Sequence, residues 1–129
     1  MTITTMSTIQ NQHLPGAMNE PGYAKLAHAL QAAYNQAALG KGKERHASES
    51  VAFEDQPMSV INRQLGSIDG FIYQAHKKSL EAKRLPLERA QAELLGAINY
   101  LAGAWIELER QRLSASKTAF HHIAEITGD

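Results

Sequence analysis

A chain of 129 residues with 13 Lys plus Arg, 13 Asp plus Glu and no cysteine is long enough to bury one core. The lack of cysteine excludes disulfide scaffolds, thiolate zinc sites and thiol nucleophiles together. No apolar run reaches the roughly 18 residues that a membrane span needs, and MTITTMSTIQNQ at the start lacks the basic and apolar regions of a signal peptide. A cytoplasmic protein without a membrane partner is expected, and a formal charge of zero argues against a wholesale polyanion binder.

Residues 1–19 carry Thr, Ser, Gln and Asn but no Lys, Arg or Asp and no sustained apolar period. They read as a tail that only a partner would order, followed by a single helical domain over 20–129. Asn19-Glu20-Pro21 is a helix-start signal, since Asn caps and Pro is tolerated in the first turn. A first helix is expected from about Pro21 to Leu39. Its Tyr23, Leu26, Ala27, Leu30, Ala33, Tyr34, Ala37 and Ala38 recur at three- and four-residue steps, the pattern of a buried stripe. Gly40 stops it, and 41–50 shows no period.

Phe53-Glu54-Asp55-Gln56-Pro57 opens a short second helix over about 56–65, with Gly66 behind it. A third helix begins near Ile68 to Gly70 and carries Phe71, Ile72, Ala75, Ser79 and Ala82 on one side. It ends at Leu85-Pro86, because a residue before proline is pushed out of helical geometry. In the fourth, Leu87, Leu94, Leu101 and Leu108 fall seven apart with Ile98 and Trp105 at the intervening steps, a heptad seam. Beside them Ala92, Gly96, Asn99 and Gly103 form a stripe of small residues that suits close approach of another helix backbone. From Ser114 onward the chain either extends this helix or forms a shorter one around Phe120, Ile123 and Ile126. No strand pattern competes, so the expected fold is all-α. From Pro86 to Leu113 a helix runs about 42 Å and would overhang a compact monomer about 36 Å across. A homo-oligomer is therefore expected.

Chemistry concentrates in two places. The segment Lys41-Gly42-Lys43-Glu44-Arg45-His46 combines glycine freedom with long cations. That suits a phosphate: Arg45 grips two oxygens, Lys41 and Lys43 supply charge, and His46 donates near neutral pH. The bland alternative is a solvated loop answered by Glu49, Glu54 and Asp55. Phe53 and Gln56 add a flat apolar surface and an amide that stack on and bond to a base. The second place is His76-Lys77-Lys78 with Lys83, Arg84 and Arg89, either a solvated helix face or a wall of the same anion pocket; Lys77 and Lys78 are its candidate ligands.

Catalytic readings fail on residue type. The Walker spacing is absent, no two His stand four apart on a helix, and no E-x-x-E pair of the magnesium-dependent pyrophosphohydrolases occurs. Nor is there a nucleophile elbow. No enzyme activity, metal or cofactor is expected. Duplex DNA is disfavoured for want of a basic recognition helix, and nucleic-acid binding through both basic clusters is a minor alternative that predicts steep salt dependence. Asn99 and Tyr100 read as packing and interhelical hydrogen bonds, Tyr34 and Tyr73 as core-edge aromatics.

GKGKERHA (Gly40 to Ala47), FEDQP (Phe53 to Pro57) and ELLGAINYLA (Glu93 to Ala102) give the chain, over about residues 23–110, a resemblance to small uncharacterised phage and prophage accessory proteins. The setting implied is a host-cell cytoplasm. Anti-defence sponges that sequester cyclic nucleotide signals are similar in architecture only. The function expected is a non-enzymatic helical protein that sequesters a phosphorylated small molecule such as a cyclic nucleotide. The alternative is an interaction module that inhibits a host protein through the exposed part of the Leu87 to Leu108 helix or through the ordered tail.

Overall fold

The computed structural model describes residues 15–40 and 51–126. Among them are four α-helices, α1 (Ala24–Leu39), α2 (Pro57–Leu65), α3 (Asp69–Ala82) and α4 (Leu87–Ile126), two 3₁₀ turns (Pro15–Met18 and Phe53–Asp55), and no strand. The fold is all-α. None of the described helices is long and apolar enough to cross a membrane. The chain divides into two compact units at Ala32–Ala33, inside α1.

In the first unit α1 starts three residues later than the Asn19-Glu20-Pro21 signal implied. Pro21 and Gly22 form a turn, closed by the Tyr23 N–H to the Glu20 carbonyl at 3.2 Å, and Gly22 takes φ +88°, a conformation glycine reaches without strain. The expected buried stripe is only partly met: Ala33 is buried, but Tyr23, Leu26 and Leu30 are exposed, as is Tyr34 beyond the unit boundary. Periodicity marks an apolar face and says nothing of whether this chain supplies its cover.

The second unit is built around the antiparallel pair α3 and α4. Lys83, Arg84 and Leu85 donate to the carbonyls of Leu80, Glu81 and Ala82, tightening the end of α3 into i,i+3 bonds. The Pro86 carbonyl then accepts from Ala90 at 2.8 Å to start α4. Chain after Ser114 extends the helix, which reaches 40 residues, or about 60 Å.

Among the described residues the buried apolar side chains apart from Phe71 are all alanines: Ala33, Ala75, Ala82, Ala97 and Ala104. Helices joined by alanine approach closely but bury little apolar area, so Phe71, 2% exposed, dominates the core; its burial is worth about 2–3 kcal/mol. Its ring occupies the space that Gly103 leaves open on α4. The small-residue stripe thus receives side chains of α3, the Phe71 ring at Gly103 and the Lys78 stem at Gly96, rather than a helix backbone. Ile72, Ser79 and Tyr73 of α3 face outward, so neither Tyr34 nor Tyr73 is a core-edge residue.

α2 is held at both ends. Pro57 occupies its first turn, and Gly66 at φ +67° accepts the left-handed C-terminal geometry. The Gly66 and Ser67 amides donate to Arg63 and Asn62 carbonyls, both at 3.1 Å, a Schellman-type close. Ile68 precedes α3 and has no capping side chain. Two neighbours substitute: Ser67 Oγ accepts the Asp69 N–H at 2.9 Å, and Asn62 Oδ1, from α2, accepts the Phe71 N–H at 3.3 Å.

Glu107, 4% exposed, ties α4 to α2. It accepts from Arg110 Nε and Nη2 at 3.0 and 2.7 Å and from Gln111 Nε2 at 3.1 Å, and Arg63 Nε lies 3.8 Å away. The Arg110 hydrogen bonds, helped by Gln111, hold its carboxyl below the ordinary value of 4.5 against the opposing effect of burial. A carboxyl depressed in the folded state contributes stability that is fully present above its unfolded value and lost as pH falls through the folded one. Glu107→Gln is expected to lower the denaturant midpoint at neutral pH. The gap to the unmodified protein should narrow once pH drops below about 4.5, measured by urea titrations over a pH series.

Candidate functional site

Within the second unit the first turns of α2, the α3–α4 hairpin and the end of α1 enclose a cavity of about 360 Å³. Its position follows from local structure. Ala52 is extended and Phe53–Asp55 turns back as a 3₁₀ segment. Ser59 Oγ donates to the Phe53 carbonyl at 3.4 Å and Arg63 Nη2 to the Glu54 carbonyl at 2.9 Å, so the turn is clamped onto α2. Gln56 is the residue before the helix, extended at ψ 159°, and its side chain makes no capping bond. Phe53, Gln56, Met58 and Ser59 therefore form one wall.

The opposite wall comes from the hairpin. Lys78 and Glu93 lie at equal distances along the chain from the Leu85-Pro86 turn, so antiparallel packing sets them face to face, with Nζ 3.5 Å from Oε2. The same ammonium stands 5.9 Å from the centre of the Tyr100 ring, within cation–π reach. Gly96 opens the space that the Lys78 stem fills. Arg89 and Asn99 line the cavity beside them. Asn99 Nδ2 donates to the Ala33 carbonyl at 2.9 Å and Gln36 Nε2 to that of Ala92 at 3.0 Å. These two bonds fasten the end of α1 over α4 as the third wall.

Of the candidate ligands named from the sequence, Phe53, Gln56 and Lys78 meet here, and Arg89 of the second basic cluster lines the same cavity. Lys77, one residue earlier, does not line this cavity; it is exposed, with its ammonium 3.9 Å from Glu81. Adjacent residues on a helix diverge by about 100°, and Lys78 rather than Lys77 has its stem on the hairpin side. Lys41, Lys43, Arg45 and His46 lie outside the described residues. Asn99 bonds across helices, as its polar character mid-helix implied. Gln36 and Glu93 join the site unannounced. For Glu93 a signal existed in its symmetry with Lys78 about the proline turn; for Gln36 none did, because its partner lies 56 residues away.

Chemically the cavity offers two cations against one carboxylate, amides on three sides, and the faces of Phe53, Phe71 and Tyr100. That set has the chemistry an anion carrying a flat ring would need: charge for the anion and aromatic surface for the ring. No cluster of three His, Asp or Glu that would hold a metal occurs among the described residues. A second concavity, of about 280 Å³, lies between α2 and α4 around Glu107, Arg63 and Arg110. These groups answer one another's charge and tie the helices together.

No protein-family model, curated protein or solved structure matches the chain.

Proposed function

We propose that the protein binds a phosphorylated small molecule with a planar group, a nucleotide such as a cyclic nucleotide signal, and sequesters it without cleaving it. The observation that carries this reading is the convergence of Phe53, Gln56 and Lys78 with Arg89 and Tyr100 on one cavity. Its volume of about 360 Å³ falls in the range of roughly 300–1,000 Å³ typical of small-ligand pockets. Arg89 and Lys78 hold phosphate oxygens through charge-assisted hydrogen bonds. Phe53 lies along the base, and Gln56 bonds its edge. A phage-type setting fits the motif resemblance, and sequestration there removes a signal by mass action.

Native mass spectrometry of protein purified from a host with active nucleotide signalling, followed by calorimetric titration with a panel of linear and cyclic nucleotides, tests the reading. An extra few hundred daltons per site is expected, released intact. Lys78→Ala and Arg89→Ala should each weaken binding by about 10- to 150-fold, the loss of a charged hydrogen bond worth roughly 1.5–3 kcal/mol. Lys77→Ala should leave it unchanged. An apo protein that binds no member of the panel, or one whose affinity survives both substitutions, overturns the proposal.

A second reading, an interaction module that inhibits a host protein, draws on the exposed Leu113, Phe120, Ile123 and Ile126 along the last turns of α4. It is favoured if a host protein co-purifies and substitutions in the cavity are harmless.

A further inference from the structure

Among the described residues the heptad leucines are left exposed. Leu87, Leu94, Leu101, Trp105 and Leu108 are all exposed, Leu101 by 50% and Trp105 by 65%. At 100° per residue they share one face of α4. The hairpin core and the cavity, through Gly96, Asn99, Tyr100 and Gly103, use the opposite face. We propose that the Leu87–Leu108 face is the interface between two copies of this chain, packed antiparallel.

Three observations select a second copy as the occupant. A seven-residue recurrence over three heptads is a surface that only another long helix reads, by knobs into holes. Among the described helices of this chain, α4 alone has the length to do so, 40 residues against 16 for α1. The area is of the right order. Four leucines and a tryptophan at about half exposure offer roughly 500 Å², and Ile98, Ala102 and the stems of Gln91 and Arg112 extend it toward the about 800 Å² per partner of a stable interface.

The charges choose the direction. Side by side in parallel register, Glu88 would meet Glu88 and Arg112 would meet Arg112. Antiparallel, with Ile98 against Leu101 of the second copy and Leu94 against its Trp105, the same spacing brings Glu88 beside Arg112 at both ends. Arg112 already pairs with Glu109 on its own helix, so it would be shared between two carboxylates. An anionic membrane surface is disfavoured as occupant, because acids Glu88 and Glu109 border the face.

Sedimentation equilibrium on the full chain over a range of micromolar concentrations tests the proposal. A species of twice the 14.2 kDa chain mass is expected. Leu94→Glu and Leu101→Glu should each weaken association by more than about 100-fold with helical circular dichroism unchanged, since both positions are exposed in the monomer. Glu88→Arg should weaken it and Arg112→Glu in the same chain restore it. A monomer at every concentration, or an oligomer indifferent to both leucine substitutions, overturns the interface. A double charge swap weaker than either single change overturns the antiparallel register. Nucleotide affinity should be equal in wild type and Leu101→Glu, so this proposal and the ligand-binding one fail separately.

Discussion

Two glycines seven residues apart on one helix are expected to respond to alanine with opposite signs. A Cβ at Gly103 would stand 2.4 Å from Cε1 and 2.7 Å from Cζ of Phe71. That ring is 2% exposed and is the largest apolar group in the core, so it has nowhere to go. Overpacking costs about 1–3 kcal/mol, of which helix propensity returns at most about 1. Gly103→Ala should therefore destabilise by up to roughly 2 kcal/mol once the full propensity gain is returned, and Gly103→Leu by more. At Gly96 the new methyl meets the Cδ and Cε of Lys78 at 2.9 and 3.1 Å, the flexible end of a half-buried chain that swings aside. There the propensity gain prevails, and Gly96→Ala should stabilise by up to about 1 kcal/mol. Urea midpoints at constant slope read both effects. Phe71→Leu combined with Gly103→Ala should cost less than the sum of the two, because the smaller side chain removes the clash. Displacing the Lys78 ammonium should also weaken anion binding in the stabilised Gly96→Ala variant, separating stability from affinity at a single methyl group.

The contrast also explains what the sequence could reveal. Helix existence and type were legible for all four helices, because proline, glycine and apolar period punctuate them within a few residues of their observed ends, except at the C-terminal end of α4, where extension past Ser114 and a separate shorter helix both fitted the pattern. The glycine stripe on α4 was legible as a contact surface, but its occupants were not. Whether Gly103 faces a backbone or a ring depends on the rotation of α3, which no local pattern encodes. The apolar stripe of α1 and the leucine seam of α4 carry the same periodic signal as a buried face, yet Leu30 and Leu101 are exposed. Period reports amphipathicity, and the cover is decided by tertiary packing or by another chain. In the cavity, Phe53, Gln56 and Lys78 were found by residue chemistry, whereas Gln36 and Glu93 came from packing. Asn62 gave no local signal at all, and it is the most completely enclosed side chain described.

Asn62→Ala is expected to be the most damaging single truncation among the described polar residues. The side chain is 0% exposed and makes two bonds of different weight. Its Nδ2 donates to the Met58 carbonyl at 2.7 Å, which as a mid-helix acceptor has a backbone donor besides. Its Oδ1 accepts the Phe71 N–H, one of the first amides of α3 that have no partner within the helix. Ile68 offers no substitute, so truncation leaves that buried amide unsatisfied, at about 1–3 kcal/mol, and opens a void whose lining loses contact. The total should reach roughly 2–4 kcal/mol, a large share of the 5–15 kcal/mol that hold an ordinary domain. Gly70 provides the internal check: a Cβ there would lie 2.9 Å from Asn62 Nδ2, so Gly70→Ala should be costly alone and cheaper when Asn62 is already alanine. Asn62 does not itself line the cavity, but it bonds Met58 of α2 and Phe71 of α3, which do, and so fixes α2, which carries Met58 and Ser59, to α3, which carries Phe71 and Lys78. Its loss should therefore weaken ligand binding even under conditions where the variant is fully folded. Affinity measured well below the unfolding transition, beside the urea midpoint, separates that positioning effect from simple loss of folded protein.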